Sequence, residues 1–410
     1  MNLEPVGEPV NILVKMTDDV LPSPGAIKVT GITPQQTLMD GISEAEFCRY
    51  VCEEVFVPET VAVGYNTVRF DDEFMRATLW RNFYDPYEWE WKDGRSRWDI
   101  LDVVRLTRAL RPEGIEWPFR EDGAPTNRLE LITKLNGVAH EHAHDALSDV
   151  YATIAVAKLI REKQPKLFEY LYKMRDKKAV QELINLESPR PFVYASGRYS
   201  NEFNKTTVAV PLALGRNGNI LVFDLRYNYD DIDKDKLFPV VKELCYNKCP
   251  AVAPIGVLND NDGWGKIGLD VETVQENWRK LREHPEFAEQ MRTLYEERPE
   301  FPPAVEPEAA LYDGFVSDVD KVKIAAVRNA DANKLADFHP DFHDERLPEL
   351  LLHYKGRNFP QSLDEKEAEQ WEAYRRARLE RQVPKFMAEL EKLEDDFLKD
   401  ELLLYMQSLA

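Results

Sequence analysis

Thr60-Val61-Ala62-Val63-Gly64-Tyr65-Asn66-Thr67-Val68-Arg69-Phe70-Asp71-Asp72-Glu73 reads as a strand, a polar turn and a helix that opens on three acids. The β-branched run supplies the strand, and the residues after it carry turn chemistry. Acids in a first helical turn cap the helix and suit its dipole, so structure alone accounts for them. Outward from this stretch, residues 10–15 (VNILVK) read as a second strand, and helical periodicity covers 72–83, 99–110, 128–135 and 145–163. Strands alternating with helices predict an α/β domain.

The texture changes near residues 187–192. PFVYASGRYS, TTVAVPLAL and NILVFDL are β-rich, and Asn217-Gly218 between the last two is a strong hairpin signal. A small β-barrel or sheet domain is expected there. From about residue 270 the pattern turns helical, and a Pro-rich break at 299–307 precedes further helices, the last a long amphipathic one at 384–407. The texture gives an α/β plus β plus α arrangement, and the 410 residues are expected to divide at 1–164, 165–305 and 306–410.

Lys and Arg total 53 against 74 Asp and Glu, a net charge of −21, which taken whole argues against a nucleic-acid partner. The average hides a pattern. Residues 1–150 carry 15 basic and 27 acidic side chains, 151–250 carry 17 and 12, and 251–410 carry 21 and 35. A basic middle between acidic arms leaves nucleic acid open. No apolar run approaches the roughly 18 residues of a membrane span, and the first residues lack an apolar signal core, so the expectation is a cytoplasmic protein without a membrane partner. The cysteines form two C-x3-C pairs, Cys48/Cys52 and Cys245/Cys249, without the further Cys or His that structural zinc needs; buried reduced thiols are expected.

The second segment that carries chemistry is His140-Glu141-His142-Ala143-His144-Asp145-Ala146-Leu147-Ser148-Asp149. Histidines two apart point about 200° from one another on a helix, so the trio is no helical metal face. His144 and Asp149 converge only if His144 precedes the helix. Asp149 shares its side with Thr153, Val156 and Ile160, and a carboxylate desolvated there would call for a partner such as a divalent cation. The His144-Asp145 pair also suits an HD-type metallophosphohydrolase, but that site needs an earlier helical histidine, and residues 1–139 contain none.

Asp71 in G-Y-N-x-V-R-F-D-D-E and His144-x4-Asp149 in A-H-D-A-x-x-D-V resemble the second and third motifs of the DEDDh exonucleases. Further stretches, among them Val29-Thr30-Gly31-Ile32-Thr33-Pro34, Arg81-Asn82-Phe83-Tyr84-Asp85-Pro86-Tyr87 and Arg357-Asn358-Phe359-Pro360, extend the resemblance along the whole chain to the bacterial exodeoxyribonuclease I family. The resemblance implies a ribonuclease-H-like exonuclease domain, an SH3-like β-barrel domain and a C-terminal helical domain. It implies a monomer that removes 5′-mononucleotides from the 3′ end of single-stranded DNA, with two Mg²⁺ held by four carboxylates. Asp71 and Asp149 are then metal ligands, His144 the general base, Arg128 a substrate contact, and Arg76 a phosphate contact or an ion-pair member. Single-stranded-DNA-binding protein is the implied partner, its acidic tail docking on a basic surface such as the stretch 158–178.

The family's first motif, Asp-x-Glu on an opening strand, should precede Gly7-Glu8-Pro9. No such pair occupies an apolar strand before Val29. The expectation is an N-terminally incomplete exonuclease domain, short by roughly 20–40 residues, and nearly inactive as written. A catalytically dead strand-binding remnant is the alternative, with Tyr194, Tyr199 and Phe203 beside Arg198 and Lys205 as stacking and phosphate groups.

Overall fold

The computed structural model describes residues 2–138, 146–233, 237–299 and 301–409. The chain packs as two compact units, one of residues 1–6, 61–71 and 94–301, the other of residues 7–60, 72–93 and 302–410.

In the first unit, strand β1 (Val61–Gly64) lies parallel to β2 (Ser96–Asp99), with Gly64 opposite Asp99. The helix Ile100–Leu110 follows β2 directly, capped by the Asp99 carboxylate, and its apolar residues are buried on nearly every side. Trp98 is buried edge-on against Phe168 and Tyr172, at ring distances of 5.1 and 5.2 Å, which fastens β2 to the helix Pro165–Lys173. The helix Ala146–Lys163 buries Val156, Ala157 and Ile160 in the same core.

Five antiparallel strands complete this unit: β3 (Phe192–Ala195), β4 (Thr206–Leu214), β5 (Ile220–Asp224), β6 (Val241–Leu244) and β7 (Ala251–Pro254), in the order β6-β5-β4-β3-β7. The hairpin expected at Asn217-Gly218 joins β4 to β5, with both residues left-handed at φ 56° and 73°. Because side chains alternate across a sheet, successive residues feed two cores. Val193, Val208, Leu221 and Phe223 face one; Phe192, Tyr194, Ile220 and Val222 face the other.

The second unit is helical. The segment 10–15, expected as a strand, forms only a single bridge from Val14 to Ile42. An apolar run becomes a strand only where a partner strand receives it, and among the described residues none does. The C-terminal periodicity likewise belongs to two helices rather than one. Glu365–Leu390 continues through Pro384, and Asp396–Ser408 restarts where Asp395 accepts the Leu398 N–H at 3.1 Å. Leu390, Leu393 and Leu402 are all buried in one cluster, so the apolar pattern runs straight across the break and conceals it. A buried charge network ties residue 19 to this unit: Arg357 donates to Asp19 at 2.7 Å and to Glu308, and Glu308 meets Nδ1 of His353 at 2.7 Å. Among the described residues, no helix is long and apolar enough to cross a membrane.

Candidate functional site

The turn after β1 is built for close approach. A side chain on Gly64 would collide with Thr67, 2.0 Å from its methyl, and Asn66 is left-handed at φ 67°, a conformation Asn tolerates. Asp99 then pins the turn. Its Oδ1 accepts the N–H groups of Asn66 and Leu101 at 2.8 and 2.9 Å, and Oδ2 accepts that of Val68 at 3.2 Å. Burial pushes this carboxyl up to about 6, against the pull of those N–H groups. One side chain thereby joins the loop, β2 and the next helix. The loop delivers Asp71 to the start of the helix Asp71–Arg81.

Asp71, Arg128 and Asp149 line one cleft of about 1080 Å³, with Tyr65, Arg105, Glu130 and Lys205. Arg128 reaches it from the start of the helix Leu129–Leu135. The preceding loop is held from two sides: the Tyr65 hydroxyl donates to the Asn127 carbonyl, and buried Arg108 donates to the Thr126 carbonyl at 2.6 Å. Asp149 sits in the first turn of Ala146–Lys163, where its Thr153 hydroxyl neighbour folds back on the Asp149 carbonyl at 2.8 Å.

Two expectations change in the tertiary structure. Asp149 is exposed while Thr153, Val156 and Ile160 are buried, so its first turn stands where the apolar face meets the open cleft, and desolvation is not what calls for a cation. Arg76 takes the ion-pair alternative. Only 5% exposed, it donates to Glu73 and Glu90 at 2.7 and 2.6 Å. His144 lies outside the described residues. Tyr194 and Tyr199 are core residues, whereas Lys205 reaches the cleft.

Arg105 and Glu130, which line the cleft, and Asp99, which holds its loop, were not assigned by the sequence reading; Lys205 was named there only as a phosphate group of the strand-binding alternative. For Arg105 a signal exists: with Arg108 it interrupts an otherwise apolar helical face, and an arginine there needs a partner or a cleft. Among the described residues no group of three His, Cys, Asp or Glu is placed to hold a metal. Asp71 and Asp149 are nonetheless hard oxygen donors opening on one cleft. A hard divalent cation that keeps much of its water commonly takes only one or two protein carboxylates, so the donor chemistry of the pair suits such a cation. Carboxylates for cations beside arginine and lysine for phosphate make an arrangement suited to phosphodiester chemistry.

Comparison with known proteins bears on the same point. The family model described as "Exonuclease" matches residues 1–157, "Exonuclease I SH3-like domain" matches 175–237 and 227–297, and "Exonuclease I C-terminal domain" matches 305–409. Exodeoxyribonuclease I of Haemophilus influenzae is 40% identical over 410 residues, covering 95% of this chain and 86% of that protein. The crystal structure of Escherichia coli exonuclease I with a dA16 oligonucleotide superposes with a TM-score of 0.90 at 36% identity, over 99% of this chain and 92% of that one. A structure of SSB/exonuclease I with the inhibitor CFAM gives 0.89 at 36%, over 99% and 92%.

Proposed function

Because the chain belongs to the exodeoxyribonuclease I family, we propose that its cleft shortens single-stranded DNA from the 3′ end, releasing nucleoside 5′-monophosphates as a monomeric enzyme. The observation that carries this reading is the meeting of Asp71, Asp149 and Arg128, from three separate segments, on one cleft. Exonucleases of this family use divalent cations; the reading here is two Mg²⁺. Asp71 and Asp149 would hold them. Such ions lower the pKa of a bound water and stabilise a departing oxygen. Arg128 would neutralise a phosphate oxygen and orient the terminal nucleotide. His144, on motif grounds, would take the proton of the attacking water on a ring nitrogen. The SSB/exonuclease I structure supports the same partner class for this chain; the basic stretch 158–178 is, on charge grounds alone, one surface where an acidic tail would dock.

The test is digestion of a 3′-labelled single-stranded oligonucleotide with Mg²⁺. Labelled mononucleotide is expected from the single strand and not from a blunt duplex. Release should vanish with EDTA and in Asp149→Asn, while binding persists. Binding without release by the unaltered chain would leave the strand-binding remnant, and would bear out the expectation that the chain is inactive as written.

A further inference from the structure

Gly197 follows β3, and two arginines press on it. A Cβ there would lie 2.6 Å from Nη1 of Arg69 and 2.9 Å from Nη2 of Arg105, so the two guanidiniums are neighbours across a residue that has no side chain to separate them. The Lys205 ammonium donates to the Gly197 carbonyl at 3.3 Å. Burial and then the Arg105 charge hold that ammonium below the usual lysine range.

Counter-charge is short at this point. Arg105 pairs with Asp102 through Nη1, yet its Nε is buried without a partner. Among the described residues, neither Arg69 nor Lys205 has a carboxylate partner. Of the acids lining an adjoining recess, Asp99 is engaged by three backbone N–H groups and Glu243 by the Asn219 amide at 3.0 Å. Three cations gathered with one acid repel one another unless an anion joins them.

The position says which anion. Arg105 and Lys205 line the cleft that holds Asp71 and Asp149. Arg69 and Arg105 line the adjoining recess, of about 410 Å³, together with Arg198 and Lys248 and with the acids Asp99, Asp102 and Glu243. Asn66, Leu101 and Arg105 belong to both walls, so a basic track leads from the carboxylates past Gly197.

We propose that Arg69, Arg105 and Lys205, gathered at Gly197, grip a non-scissile phosphodiester of the DNA strand, on the 5′ side of the bond that is cut. This rests on the function proposed above: with the 3′ terminus at the carboxylates, the body of the strand leaves along the basic track. The cluster is a positioning device that sets how far the terminus advances.

The test is metal-free binding of a fluorescent dT12 in EDTA, by anisotropy across a salt series. Arg69→Gln and Lys205→Gln should each weaken binding about tenfold. Each should also flatten the slope of log affinity against log salt by about 0.7. Gly197→Ala should weaken binding without removing a charge, by driving the guanidiniums apart. A single neutral methylphosphonate, walked along the oligonucleotide, should weaken binding to the unaltered protein most at one internal linkage. The two Gln variants should be indifferent to it there. Unchanged slopes and an unchanged methylphosphonate profile would overturn the proposal, as would sensitivity confined to the 3′-terminal linkage. Absence of dT12 binding by the unaltered protein would overturn the proposed function, and this inference with it.

Discussion

Asp99 offers the sharpest test of how this site is held. Replacing it with Ala removes the acceptor for three backbone N–H groups, two of them on the buried residues Val68 and Leu101. Leaving such donors unsatisfied costs about 1–3 kcal/mol each, so about 4 kcal/mol is expected while Asp99 is neutral. Ionisation opposes this. The carboxyl rises from 3.8 to about 6 on folding, so between those values the folded protein keeps a proton that the unfolded chain has lost. Stability therefore falls as pH rises through that window, by about 3 kcal/mol at most. The hydrogen-bond loss dominates at pH 4; by pH 7.5 the ionisation penalty offsets much of it. Asp99→Ala should thus destabilise by about 4 kcal/mol at pH 4 and by about 1–2 kcal/mol at pH 7.5. Urea unfolding of both proteins at the two pH values measures this, since shared titrations cancel in the difference. Mononucleotide release should drop as well, because the loop that presents Asp71 loses its anchor. A cost that is equal at both pH values, or larger at pH 7.5, would refute the reasoning. It would mean that the N–H groups outweigh burial and hold the carboxyl low.

Glu308 should behave in the opposite sense. Burial raises its carboxyl, but the His353 bond and the Arg357 charge outweigh burial and hold it far below the usual range. Its stabilisation is present above about pH 4.5 and lost below, so the gap between the unaltered protein and Glu308→Gln, about 3–5 kcal/mol at pH 7, should shrink toward pH 3 in urea titrations. Lys355, fully buried and bonded to both Glu367 oxygens at 2.7 Å, should cost several kcal/mol as Ala and far less as Met, by thermal unfolding. Arg128→Gln should raise KM on single-stranded DNA several-fold while leaving stability within about 0.5 kcal/mol, as its exposure requires. Lys173→Glu with Lys177→Glu should weaken binding of an acidic SSB-tail peptide in titrations; unchanged binding would remove 158–178 as the docking surface.

Much of this architecture is legible in one dimension, because the signals are local. The run Val61–Gly64, the acids opening Asp71–Arg81 and the Asn217-Gly218 hairpin each state their conformation within a few residues. Periodicity failed where partners decide. Residues 10–15 have strand composition but meet no strand, and the leucines around 390–402 stay in phase across a helix break.

By itself, then, the sequence determined the order of α/β, β and helical segments and singled out Asp71, Asp149 and Arg128 as candidates, which the fold brings to one cleft. Those assignments rest on short motifs and on resemblance. Only the tertiary structure decided that Arg76 is withdrawn into ion pairs, that Asp149 stands exposed on a cleft, and that Asp99 pins the loop beside it. It alone brought Arg69, Arg105 and Lys205 to Gly197. The reason is physical: the meaning of a charged residue depends on which charges and how much water surround it, and those neighbours come from segments far apart in the chain.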